Sequence, residues 1–220
     1  MDSPRRPTRA TPQGGRSWVL LVGAALTLAT LSPPAQARAE GSLTAHMVQH
    51  VVLMVVAAPI LAASRRPAAG AAPLAPWTLF GAAALHAGLM GAWHLPLAFD
   101  AAERTVGVHV LEHVSLLGPA VLFWWAVGLG SRPPHRLSVL AVFAASMAGV
   151  GLGAAMTLAA APWYAHHRTL SDQQVAGVVM WAFAGLVYLG LGILLFVRSL
   201  GDDEPAPRLA PALAPSTTVS

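Results

Sequence analysis

Leu43-Thr44-Ala45-His46-Met47-Val48-Gln49-His50-Val51-Val52-Leu53-Met54-Val55-Val56-Ala57-Ala58-Pro59-Ile60-Leu61-Ala62-Ala63-Ser64 runs for 22 residues without an Asp, Glu, Lys or Arg. As a helix at 1.5 Å per residue it is roughly 33 Å long, enough to cross the hydrocarbon core of a bilayer. The imidazoles of His46 and His50 lie four residues apart, on one helix face, and Met54 continues that stripe. Imidazole is costly to place in lipid, so a membrane helix that carries two near one end marks a candidate functional site.

The same pattern repeats along the chain. Six apolar stretches are each close to the length of a span: Ser17–Ser32, Leu43–Ser64, Leu74–Leu95, Thr105–Gly130, Leu137–Ala160 and Val175–Leu200. A spanning segment must satisfy its own backbone, and none of these shows the alternation of a strand. The fold class expected is therefore all-α, a polytopic transmembrane bundle of about six helices over residues 16–200. Two tails rich in Pro, Ala, Ser and Thr, 1–15 and 201–220, flank it as disordered cytoplasmic segments. Pro59 and Pro119 inside spans predict kinks. Gly149, Gly151, Gly153, Gly185, Gly190 and Gly192 predict close helix–helix approach.

Composition agrees. Of the 220 residues 55% are hydrophobic and 10% charged, against roughly 25% charged in a soluble domain. The net charge of +4 comes from 13 Arg and no Lys against 9 acids. In a soluble chain that balance would point to nucleic acid; here the arginines sit in loops between apolar spans, so the partner is the lipid bilayer. Ten of them (Arg5, Arg6, Arg9, Arg16, Arg65, Arg66, Arg132, Arg136, Arg198, Arg208) fall on one side of the six spans and three (Arg38, Arg104, Arg168) on the other. The positive-inside rule then places both termini in the cytoplasm of a plasma-membrane protein, with the histidine-bearing ends outward. The basic leader, short apolar run and Ala35-Gln36-Ala37 also describe a cleavable signal peptide. Its loss would leave the other five spans in the same orientation.

Seven of the nine histidines lie on or near one end of the hydrophobic segments. His46, His50 and Met54 descend the second span. His86, Met90 and His94 climb the third. His109 and His113 open the fourth, with Glu112 beside His113, and helix counting puts His50, Met90 and His109 at similar depths. His166 and His167 add imidazoles near Asp172, whereas His135 sits in an inner loop. There is no Cys, so thiolate sites are excluded and any metal is held by His, Met and carboxylate. Copper suits that set: Cu(I) favours thioether and imidazole, Cu(II) imidazole and carboxylate. The candidate metal ligands are His46, His50, Met54, Met90, His94, His109, Glu112 and His113. Two other chemistries stand beside this one. His109-Val110-Leu111-Glu112-His113 fits the HxxEH pattern of inverted zinc proteases, without a third-ligand motif. Paired histidines on separate helices also ligate haem.

Four motifs then fall in order: Ser42-Leu43-Thr44-Ala45-His46-Met47-Val48-Gln49-His50 through Met54 with Ala58-Pro59; Trp93-His94-Leu95-Pro96; His109–His113 followed by Phe123-Trp124-Trp125; and Asp172-Gln173-Gln174-Val175-Ala176-Gly177-Val178-Val179-Met180-Trp181. Together they resemble the CtaG-type cytochrome c oxidase assembly factors of bacteria, over roughly Leu28 to Leu200. The resemblance implies a membrane assembly factor of the respiratory chain, with oxidase subunits as partners and copper delivery as its expected role. Reversible coordination and transfer make it a metallochaperone rather than an enzyme, and the alternatives are a membrane haem or metal redox protein and a metal-free scaffold for oxidase subunits. It also implies that the first span is retained, since Leu31-Ser32-Pro33 looks like the family's helix end. The chain departs from the family pattern at its start, where a further helix is usual.

The arginine asymmetry has a direct test. Reporter fusions at Arg65 and at Arg104 are expected to give opposite readouts, cytoplasmic at the first and external at the second; a cytoplasmic signal at Arg104 would overturn the assigned topology.

Overall fold

The computed structural model describes residues 14–65, 72, 74–129, 131, 133, 135–165 and 169–201. Among these it is all helical: α1 (Gly14–Thr30), α2 (Pro33–Gly41), α3 (Leu43–Ala63), α4 (Pro76–Trp93), α5 (Pro96–Arg104), α6 (Val106–Gly128), α7 (His135–Thr157) and α8 (Leu170–Leu200). Of the expected tails, Gly14, Gly15 and Gly201 are helical and the rest lies outside the described residues.

Eight helices replace the six expected because two short ones form between spans. Proline sets both: Pro33 and Pro96 occupy first-turn positions, where a missing N–H costs nothing. Four helices, α3, α6, α7 and α8, are long and apolar enough to cross a membrane. The pair α1–α2, bent by 48°, makes a fifth if counted as one span. The stretch expected as the third span forms α4, which falls short of that apolarity because it carries Pro76, Thr78, His86 and two tryptophans. It still returns the chain across the bundle. The start of α3 and the start of α6 lie at one end, as the 5.8 Å between the His46 and His109 rings requires. The 18 residues of α4 provide the roughly 27 Å of return path. Its polar groups are used inside the protein: His86 bonds Tyr188 of α8, and Trp93 bonds Ser115 of α6.

Helix α3 is the axis. Of its apolar window 61% is buried, against 28%, 28% and 17% for α6, α7 and α8, and it packs on α1, α2, α6 and α8. Its N-terminus is fixed from another helix. The Asp172 carboxylate accepts from the N–H groups of Leu43 (2.6 Å) and Thr44 (3.2 Å) and from the hydroxyls of Ser42 (3.0 Å) and Thr44 (2.6 Å). Ser42 in turn caps Ala45 N–H. A helix leaves its first N–H groups without internal partners, and here a carboxylate from α8 takes two of them and adds favourable charge at the positive end of the dipole.

The kink expected at Pro59 takes the form of a widened turn. The ladder of α3 opens to five-residue spacing over Val52–Ala57, so that Ala58 N–H donates to Leu53 O. The next carbonyl, Met54 O, would take the N–H of residue 59, which is proline and has none. The Trp124 indole of α6 donates to it instead, at 2.6 Å. Similar turns occur at Trp125–Leu129 and at Val179–Phe183, whereas Pro119 lies inside a stretch of α6 that stays α-helical. Of the six glycines expected at contacts, only Gly153 lies where a side chain would clash, 2.9 Å from Gly177 O and from Trp181 N; Gly151 and Gly190 face open space. The close crossing is thus between α7 and α8 at Gly153 and Gly177.

Trp124→Phe keeps an aromatic ring but removes the indole N–H and some buried volume, and the stranded Met54 carbonyl alone costs about 1–3 kcal/mol. Thermal unfolding of the purified protein should show this drop, with Trp77→Phe as control because Trp77 is 78% exposed. Equal melting of the two variants would dismiss the indole as the carbonyl's necessary partner.

Candidate metal centre

Two stripes and one helix end build the site. His46 and His50 lie one turn apart on α3. His109, Glu112 and His113 share a face of α6, three and four residues apart. His94 caps the C-terminus of α4. The rings meet directly: His46–His50 at 4.4 Å between centroids, His109–His113 at 4.4 Å, His50–His113 at 5.3 Å and His50–His94 at 5.7 Å. His50 is thus level with His94 and His113, one turn from the level expected with Met90 and His109. The offset arises because α4 stops at Trp93 and α5 folds over its end.

Glu112 is at the centre and fully buried. Its Oε1 lies 3.6 Å from His46 Nε2 and 3.6 Å from His50 Nε2, and its Oε2 lies 3.4 Å from His109 Nδ1. On the other side of His46, Nδ1 is 3.3 Å from Glu103 Oε1 of α5. Two donor groups result, His46/His50/Glu112 and His109/Glu112/His113, each with its ligand atoms within 4.8 Å of one another.

Hydrogen bonds fix which nitrogens carry lone pairs. His94 Nδ1–H donates to Met90 O (2.6 Å) and His113 Nδ1–H to His109 O (2.9 Å), so in the neutral rings both Nε2 atoms are unprotonated. His109 Nε2–H donates to Gln36 Oε1 (3.2 Å), which leaves the lone pair of Nδ1 facing the Glu112 carboxylate. His94 Nε2 likewise faces the thioether of Met47, 3.2 Å away. Acceptors directed at acceptors repel unless a proton or a metal ion lies between them. Both ring nitrogens of His46 and of His50, both Glu112 oxygens and His113 Nε2 are buried without a hydrogen bond. Each such atom costs about 1–3 kcal/mol if left so. A metal ion satisfies several at once, and a ring held by its other nitrogen is how proteins orient imidazole ligands. The donor set therefore fits a metal.

The cluster is roofed. Phe99 of α5 packs on His46 (5.0 Å) and on Tyr164 (4.1 Å), and Tyr164 O–H donates to His94 O. Ala165 N–H donates to Asp100, which latches the loop after α7 onto α5. On the other flank Gln36 of α2 also accepts from Gln49, whose amide donates to Thr30 O as well.

Residues 3–201 match the model of a family described as cytochrome c oxidase caa3 assembly factor, Caa3_CtaG. The chain belongs to that family. Neither the curated proteins nor the solved structures give a match. Within this assembly factor the four motifs take distinct parts. The first three supply the imidazoles and Glu112. The fourth is structural: Asp172 caps α3, and Gln173 accepts from Trp163 N–H (2.6 Å) and donates to Met156 O (3.4 Å), tying down the roof.

Six of the eight candidate ligands, His46, His50, His94, His109, Glu112 and His113, are brought together. Met54 and Met90 line a separate small cavity with His86. His166 and His167 lie outside the described residues, and His135 starts α7 at the opposite end of the bundle. Sequence reasoning missed Met47, Glu103 and Gln36. Met47 follows His46 directly and is off the four-residue stripe. Glu103 and Gln36 lie on α5 and α2, which read as loop or leader; the first-turn prolines were the available signal.

Glu112→Gln removes the shared carboxylate. Metal affinity of the purified protein should fall at least about tenfold, while its Tm without metal is maintained or raised because a buried charge is gone. Unchanged affinity would remove Glu112 from the ligand set.

Proposed function

We propose that this assembly factor binds copper reversibly in the His/Glu112 cluster and delivers it to a haem–copper cytochrome c oxidase at the outer face of the plasma membrane. The observation that carries the reading is the set of buried imidazole and carboxylate atoms without hydrogen-bond partners gathered around Glu112. Imidazole, carboxylate and the Met47 thioether accept copper in both common oxidation states. No thiolate is available to hold Cu(I) too tightly for release. The role is that of a carrier, not a catalyst, and the receiving partner is an oxidase subunit.

Orientation supports delivery outside. Arg38 and Arg104 border the cluster end of the bundle, whereas Arg16, Arg65, Arg136 and Arg198 border the other among the described residues. Among the described residues the excess lies opposite the cluster, so the positive-inside rule turns the cluster outward. The haem alternative fits less well. Axial histidines face each other across a flat slot, and here the rings pack edge to face at 4.4–5.8 Å, which leaves no room for a macrocycle between them.

Cells lacking the protein should show low oxidase activity in ordinary medium and partial recovery with added copper, since mass action fills the oxidase site at high metal. His46→Ala or His50→Ala should lower bound copper and oxidase activity with the protein still in the membrane; His135→Ala should do neither. A Soret band in the purified protein would replace copper with haem. A metal-free protein, no copper rescue and loss of oxidase subunits would leave a scaffold role alone.

A further inference from the structure

Below the cluster, α3, α4, α7 and α8 meet around a cavity of about 20 Å³ lined by Met54, Met90, Met180, His86 and Tyr188. Methionine is an ordinary gap-filler in cores, yet here three methionines, with otherwise largely apolar neighbours, line a gap that stays open. The volume matches about one water-sized occupant. All three methionines and His86 are buried, at 3%, 7%, 4% and 3% exposure respectively.

The lining decides what fits. A buried water needs two to four polar partners. His86 is held on one edge by Tyr188, Nε2 to hydroxyl 2.8 Å, and its face is stacked on Phe123 at 5.1 Å. Its Nδ1 is buried without a partner. With Nε2–H donating to the Tyr188 oxygen, Nδ1 presents a lone pair, the same arrangement that orients the outer histidines. Three thioethers and one imidazole form a soft, uncharged donor set, which selects Cu(I). The transfer cost of an ion into an apolar interior rises with the square of its charge, so a monovalent ion is favoured over Zn(II) or Cu(II).

We infer that Met54, Met90, Met180 and His86 form a second metal site, specific for Cu(I) and distinct from the His/Glu112 cluster, with which it shares no donor. His50 and Met54 are one helical turn apart on α3, about 6 Å of rise. The inner site holds copper only in its reduced form and needs no redox step.

The test uses full-length protein in detergent, titrated anaerobically with Cu(I) against a chromophoric Cu(I) chelator, with X-ray absorption to detect sulfur ligands. The outer variant is His46→Ala/Met47→Leu/His50→Ala; the inner is Met54→Leu/Met90→Leu/Met180→Leu, chosen because Met-to-Leu changes conserve volume. The outer variant should retain one tightly held Cu(I) with sulfur scattering. The inner variant should lose one equivalent relative to wild type and leave Zn(II) binding unchanged. If circular dichroism shows the triple inner variant to be misfolded, Met180→Leu alone is the deciding variant, with Cu(I) held at least tenfold more weakly in the outer-variant background. An outer variant that binds no Cu(I), or inner variants with undiminished Cu(I) and sulfur scattering, would overturn the inner site and leave the outer reading untouched. Loss of all Cu(I) in the inner variants alone would instead overturn the outer reading.

Discussion

The carboxylate of Glu112, fully buried and without a hydrogen bond, governs the arrangement around it. A charge in an apolar bundle is tolerated only where counter-charges or strong dipoles surround it. Imidazole nitrogens from α3 and from its own helix approach it within 3.4–3.6 Å, and they meet that need only with a proton or a metal ion between the atoms. On their other side His46 Nδ1 faces Glu103 and His109 Nε2–H donates to Gln36, while His50 Nδ1 is buried without a hydrogen bond. A buried polar centre with this many unpaired atoms is costly to the fold unless something satisfies them.

Holding such a centre requires that the helices bearing it cannot slide. The tie is made at helix ends, where backbone groups are unpaired anyway. Asp172 joins the N-terminus of α8 to that of α3, one turn from His46. Gln173 and Tyr164 extend the tie to the roof and to His94. The short helices α2 and α5 then bring Gln36, Phe99 and Glu103 against the imidazoles without lengthening any span. A family motif containing Asp and Gln thus supports the candidate metal centre without placing a donor in it.

Deeper in the bundle the widened turns have a related role. Pro59 removes the donor that Met54 O would use, and Trp124 replaces it. This exchange fixes α3 against α6 at the level where the methionine-lined cavity begins. The close crossing of Gly153 and Gly177 brings α7 and α8 together just above the Met180 side of that cavity.

Much of this was legible in the sequence. Apolar runs of span length, and His46, His50, His109 and His113 spaced four apart near one end, are local properties of a helix, and helix periodicity carries them into the fold. The family followed from the resemblance of the four ordered motifs, and six of the eight candidate ligands named from the histidine and methionine stripes are the ones the fold gathers. Which turns face one another was decided only by tertiary structure. The end of α4 is set by α5 folding across it, so His94, not Met90, reaches His50. Met54 passes below the cluster while Met47, off the stripe, enters it. Glu103 and Gln36 arrive on short helices whose positions depend on contacts with α6, α3 and the loop after α7. Sequence spacing specifies a helix face through fixed rise and twist; the relative height of two helices depends on caps, crossings and prolines acting between segments, and no single segment encodes it.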